Sequence, residues 1–183
     1  MILGDGIRLN ALNRADLPRF VEWLNDPEVI QGLLIHIPMS ISQEEQWFEK
    51  ILTRPLEEQP LSIQIETAQG WETIGNVGLF DIEWCNRSAE VGIVIGNKQV
   101  WNQGHGRRAM ELMLRHGFEN LNLHRIFLKV YETNPRAIRS YEHAGFKLEG
   151  RMRQAQFKNG QYVDVLLMSI LRPEWEMSQG KTG

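Results

Sequence analysis

Along residues 7–12 apolar and polar side chains alternate, the period of a strand with one buried face. Asn13 then stands where a helix cap is wanted, and Leu17, Phe20, Val21 and Leu24 share one helical face until Asp26-Pro27 ends the run. Residues 28–41 mix Gly, Pro and bulky apolar groups without a period, as a pocket-lining loop does. Ser42, with Glu45 three positions on, predicts a capping box for a second helix striped by Trp47, Phe48, Ile51 and Leu52. Strands follow at 61–66, 73–82 and 89–95, separated by the turn-rich AQGW and EWCNRS, which predicts an antiparallel meander.

After Gly96 the pattern changes. A polar loop, NKQVWNQGHG, leads into a segment where Met110, Met113, Leu114, Gly117 and Leu121 recur at helical spacing. Ile126, Leu128 and Val130 alternate as a further strand, and Asn134-Pro135 supplies a cap and a first-turn proline for a short helix ending at Gly145. Residues 146–150 and 162–171 give two last strands across a KNGQ turn. The expected fold is therefore mixed α+β, with about seven strands, about four helices and a C-terminal tail over residues 172–183.

Length and charge narrow the function. At ~150 residues per domain, 183 residues make one domain, with its core over about 7–171. Twenty Lys and Arg against 23 Asp and Glu leave a net charge of -3, so nothing suggests a nucleic-acid partner. Cys85 stands alone and His36, His105, His116, His124 and His143 show no metal-ligand spacing, so neither a disulfide nor a metal is expected, and a reducing, cytoplasmic setting is. The N-terminal segment has no basic run before an apolar core, and the longest apolar stretch, at 165–171, is far below ~20 residues. Neither a signal peptide nor a membrane span is expected.

The chemistry concentrates in Trp101-Asn102-Gln103-Gly104-His105-Gly106-Arg107-Arg108-Ala109. Two glycines one residue apart let successive N–H groups point at one spot, and the next helix adds its positive end, which makes an anion cradle. The segment lacks the GK[ST] of a Walker loop and lacks the strand that a dinucleotide GxGxxA would need directly before it. A second motif, Asn134-Pro135-Arg136-Ala137-Ile138-Arg139-Ser140-Tyr141-Glu142-His143-Ala144-Gly145-Phe146, puts Ala137, Tyr141 and Ala144 on one helical face.

In this order the two motifs resemble the GNAT superfamily of N-acetyltransferases, whose pattern is [RQ]xxGx[GA] opening a helix, a strand, then NxxAxxxYxxxGF. The resemblance spans residues 7–171. The ending, with Leu148-Glu149-Gly150-Arg151 and Gly160-Gln161-Tyr162-Val163-Asp164-Val165, looks most like the branch of ribosomal-protein N-terminal acetyltransferases. Trp101 departs from the family pattern, standing where Arg or Gln is common.

The resemblance implies a GNAT fold, a mostly antiparallel twisted sheet splayed in its middle, with acetyl-CoA as co-substrate and no metal. It places the pantetheine arm along Ile93, Val94 and Ile95 and against Asn134. The amides from Asn102 through Gln103, Gly104, His105 and Gly106 to Arg107 would hold the pyrophosphate, and Arg139 joins this cofactor set. Tyr141 would protonate the CoA sulfur. Glu90 shares a strand face with Gly92 and Val94 and could take the amine proton directly or through water. His36 and Gln156 are candidates for lining the acceptor pocket.

The activity expected is direct transfer in a ternary complex to a primary amine, on a protein N-terminus or a small molecule, with no acetyl-cysteine at Cys85. Non-catalytic acyl-CoA binding is the alternative. Loop 26–40 offers only Asp26 and Glu28 as carboxylates, which weighs against a polyamine acceptor. An exposed strand near the C-terminus could support a homodimer.

Overall fold

The structure, a computed structural model, describes residues 1–33, 35 and 37–180, so the candidate His36 lies outside the described residues. The strands are β1 (Ile2–Gly4), β2 (Ile7–Ala11), β3 (Leu61–Thr67), β4 (Gly70–Glu83), β5 (Ser88–Ile95), β6 (Arg125–Tyr131), β7 (Lys147–Lys158) and β8 (Gln161–Leu171). They form one sheet in the order β1-β2-β3-β4-β5-β6-β8-β7, antiparallel throughout except where β5 meets β6. The helices are α1 (Leu17–Leu24), α2 (Ile41–Leu52), α3 (His105–Arg115), α4 (Pro135–His143) and α5 (Arg172–Ser178). None of the described helices is long and apolar enough to cross a membrane.

The alternation read in the sequence turns one set of side chains to the core. Ile7, Leu9, Ile63, Val77, Leu79, Val91, Ile126 and Leu128 are almost fully buried and join Ala109, Met110, Met113 and Leu114 of α3 in one cluster. Leu17 and Phe20 of α1 meet Phe48 of α2 in a smaller one. Burial on this scale contributes roughly 25 cal/mol per Å² of apolar surface, so the face carrying α3 anchors the sheet. The opposite face of β5 and β6 is thereby free for chemistry.

Four local expectations are corrected. The N-cap of α2 is Ser40: its Oγ accepts from Gln43 N–H at 3.3 Å and Gln43 Oε1 accepts from Ser40 N–H at 2.9 Å. A Ser-x-x-Gln box does the work assigned to Ser42 and Glu45, and the helix begins earlier. Its buried face is then Glu44, Phe48 and Ile51, while Leu52 is exposed. β7 runs through Lys158, well past residue 150; a bulge between Met152 and Gln156 breaks the alternation that would have revealed it. The supposed tail holds α5, whose Trp175 packs on Phe118 with ring centroids 5.3 Å apart. β1 adds an eighth strand by pairing with β2 across Gly6.

Glu44 is 3% exposed, and its carboxyl has no hydrogen-bond or ionic partner among the described residues. Burial pushes its pKa up. The folded state therefore favours the protonated form, and this position costs stability as the pH rises through the carboxylate range. Glu44→Gln should raise Tm at pH 7 by about 2–4 °C, the change that ~1 kcal/mol produces in a chain of this size. In melts followed by circular dichroism that gain should vanish below the ordinary glutamate pKa.

Candidate active site

β5 and β6 pair over three residues only: Ser88 with Arg125, Ala89 with Ile126 and Glu90 with Phe127. Beyond Glu90, β5 stays with β4 to Ile95, whereas β6 follows β8 to Tyr131. The sheet therefore opens into a V. Gly96 N–H bonds to Ile74 C=O at 2.9 Å, and antiparallel alternation from that pair turns Val91, Ile93 and Ile95 toward β6; the pairing of Glu90 with Phe127 uses the Val91 N–H, so the Val91 C=O and the N–H and C=O of Ile93 and Ile95 face the opening. Val94 turns its own toward Asn76, so the edge expected at Ile93, Val94 and Ile95 loses its middle residue and gains Val91. The Ile95 carbonyl is already occupied, accepting from Trp101 Nε1 at 2.8 Å.

The glycine loop follows this edge. Asn102 at φ 62 and Gly104 at φ 80 turn the chain through the left-handed region, and glycine does so without strain. Gly104 is the N-cap of α3 and has no side chain to cap with, and the first helical bond runs from Arg108 N–H to Gly104 C=O at 3.0 Å. The N–H groups of His105, Gly106 and Arg107 therefore have no partner within the helix, and the helix dipole adds positive potential at the same point. This is the anion cradle.

The side chains around it are engaged within the protein. Gln103 Nε2 donates to Gln99 C=O at 2.9 Å, leaving Gln103 only its backbone for a ligand. Arg107 leans along the helix to Glu111 at 3.5 Å. Arg108 donates to Asp5 C=O at 3.0 Å and lies 2.7 Å from His105 Nδ1. Burial, with Arg108 adding to it, lowers the pKa of His105, which keeps the imidazole neutral. The guanidinium at the mouth of the V comes instead from α4: Arg136 lies 3.7 Å over the Trp101 ring. Trp101, which stands where the family often has Arg or Gln, is the platform for the Arg136 guanidinium. Arg139, a turn further along α4, is exposed and forms no ion pair among the described residues.

α4 begins at Asn134, whose Oδ1 accepts from Ala137 N–H at 3.2 Å, with Pro135 in the first turn. A Cβ on Gly32 would stand 2.8 Å from Asn134 Nδ2, so the loop before α2 lies directly against this cap. Tyr141 is half-buried, packs on the core and tilts against Phe146 at 6.0 Å. Its hydroxyl has no hydrogen-bond partner among the described residues, and burial pushes its pKa up to about 12. It remains a neutral phenol throughout the physiological range.

On the face away from α3, Glu90 Oε2 accepts from Lys129 Nζ at 2.8 Å. One oxygen of the expected base is thus committed to a cation on the next strand, a long-range pairing with no local signature. Gln156 is partly buried on the face shared by Val163, Val165 and Tyr131 and has no hydrogen bond to Glu90 or Tyr141. Asp26 and Glu28 both bind Lys98, at 2.7 and 2.6 Å. Cys85 is exposed in the β4–β5 turn.

A family model described as an acetyltransferase (GNAT) domain matches residues 7–147. The chain belongs to the GNAT acetyltransferase family. It is 35% identical to the spermidine N(1)-acetyltransferase of Vibrio cholerae over 170 residues, 92% of this chain and 95% of that protein. The crystal structure of spermidine N-acetyltransferase from Vibrio cholerae in complex with CoA and spermine superposes with a TM-score of 0.84 at 31% identity, covering 94% of this chain and 99% of that one. The ribosomal-protein-serine acetyltransferase of Escherichia coli matches at 33% over 98 residues, 52% of this chain and 53% of that protein. The full-length likeness thus departs from the branch that the C-terminal residues suggested. The enzyme is an acetyl-CoA-dependent N-acetyltransferase.

The residues present fit acetyl-CoA. An open strand edge at Val91 and Ile93 matches an amide-bearing arm, and an uncapped helix start matches a pyrophosphate. Trp101→Ala should release the Ile95 carbonyl and remove the support of Arg136, weakening CoA binding about tenfold by calorimetry. Trp101→Phe, which keeps the ring and loses the N–H, should fall between that variant and the parent.

Proposed function

We propose that the acceptor is a small aliphatic amine of the polyamine class and that Tyr141 is the proton donor to the departing thiolate. The observation that carries the mechanism is a neutral phenol, pKa about 12, on the helix that borders the open V. The acceptor class is supported by likeness over nearly the whole chain to proteins named for spermidine, against half-length likeness to a ribosomal-protein enzyme.

When bound, acetyl-CoA supplies an acyl carbon already activated as a thioester. Val91 and Ile93 offer backbone groups that orient the arm, and the first N–H groups of α3 hold the pyrophosphate. The amine attacks from the face bearing Glu90, whose uncommitted oxygen receives its proton directly or through water. Tyr141 holds its proton at the phenol oxygen until a thiolate forms beside it. With Cys85 exposed in the β4–β5 turn, direct attack is the economical course.

Tyr141→Phe should lower kcat by about 10²–10³, within or somewhat below the usual worth of a general acid, and leave the CoA Kd within about twofold. Because the phenol stays protonated, kcat/KM should rise with pH as the acceptor amine loses its proton, with no descending limb before about pH 10. An acceptor panel followed by thiol release tests the class. Spermidine should be preferred to an amino sugar and to a peptide beginning with Ser. Preference for the peptide would return the ribosomal-protein reading, and no turnover with tight CoA binding would favour a non-catalytic role.

A further inference from the structure

The hairpin tip between β7 and β8 reaches across the acceptor face to the loop before α2. Lys158 Nζ donates to the Ile30 carbonyl at 2.5 Å and to the Leu33 carbonyl at 2.6 Å, and lies 5.3 Å from the centre of the Tyr131 ring. It makes no salt bridge among the described residues. Two carbonyl oxygens and an aromatic face are a binding set for a primary ammonium.

The position of this cradle ties it to the active site. Lys158 pairs with Gln161, which puts it on the face shared by Gln156, Val163 and Val165, and Val165 pairs with Tyr131. Tyr131 lies two residues beyond Lys129 on β6, so it shares the side that carries Glu90. It is four residues, about 13 Å, past the point where β5 and β6 part. Asn134 N–H bonds to the Tyr131 carbonyl at 2.9 Å, and Gly32, between the two cradle carbonyls, lies against the Asn134 side chain. The cradle stands at the wide end of the V, beside the start of α4.

A lysine side chain is a tetramethylene ending in a primary ammonium, chemically the end of a linear alkyl diamine. We propose that the Ile30 and Leu33 carbonyls with the Tyr131 ring form a subsite for an alkylammonium end of the acceptor, which Lys158 fills as an internal occupant until the acceptor displaces it. The subsite deepens the acceptor class proposed above and rests on it. Partial burial lowers the Lys158 pKa, so its ammonium is held less firmly than in water and exchange for a ligand ammonium is eased. The turn that carries it, Asn159 at φ 49 and Gly160 at φ 79, is exposed and can swing without disturbing the core.

Calorimetric titration with 1,4-diaminobutane tests this without requiring turnover. Lys158→Met keeps the stem and vacates the cradle, and should bind the diamine at least tenfold more tightly than the parent. The uncharged 1,4-butanediol should gain nothing. Lys50→Met, which removes the same charge from α2, should leave the diamine affinity unchanged, and adding Tyr131→Leu to Lys158→Met should cancel the gain. Lys158→Gln replaces Lys158→Met if the latter melts early. Unchanged or weaker diamine binding in the folded variant overturns the subsite. Tighter diamine binding without acetyl transfer overturns the acceptor class and leaves the subsite standing.

Discussion

The pairing of β5 with β6 stops after Glu90 and Phe127, and the active site is organised around that interruption. Opening the middle of a sheet leaves backbone donors and acceptors facing a gap, each worth about 1–3 kcal/mol if left dry and unpaired. The chain meets this cost in part by its own means. The Trp101 indole takes the Ile95 carbonyl, and Arg136 covers the indole from across the mouth. The Val91 carbonyl and the N–H and C=O of Ile93 are left unpaired within the sheet. The opening is a stretch of sheet that lacks a strand, and in the proposed mode the CoA arm would supply equivalent hydrogen bonds.

The same interruption separates two chemistries. On one side α3 starts without a side-chain cap and its free N–H groups attract anion. On the other, Glu90, Lys129, Tyr131 and Lys158 line a face where cations and carbonyls meet. In the proposed mode phosphate would be held at the start of α3, away from the Glu90 face, and the neutral phenol of Tyr141 lies on α4.

Much of this was legible in the chain. Period-two runs at β2 to β6 and the two glycine-bearing motifs gave the sheet, α3, α4 and the cradle, since alternation and turn chemistry are local properties. The misses have separate causes. Ser40 replaced Ser42 because two overlapping boxes compete and tertiary packing selects between them. β7 was cut short because a bulge and an exposed edge remove the alternation. Lys129 on Glu90, Arg136 on Trp101 and Lys158 on Ile30 join residues 35 or more apart in sequence and leave no periodic trace. The Gly160 to Val165 ending, read as a branch marker, is the chemistry of a hairpin leaving its turn and so says little about the acceptor.

Amide hydrogen exchange with and without CoA tests the splayed edge most directly. The N–H of Ile93 should exchange quickly in the free protein and slow at least tenfold when CoA is bound, together with His105, Gly106 and Arg107, while Val91, bonded to β6, and Val94, bonded to β4, are slow in both states. Equal exchange at Ile93 with and without saturating CoA would contradict the account, because the cofactor would then lie elsewhere than in the opening between β5 and β6.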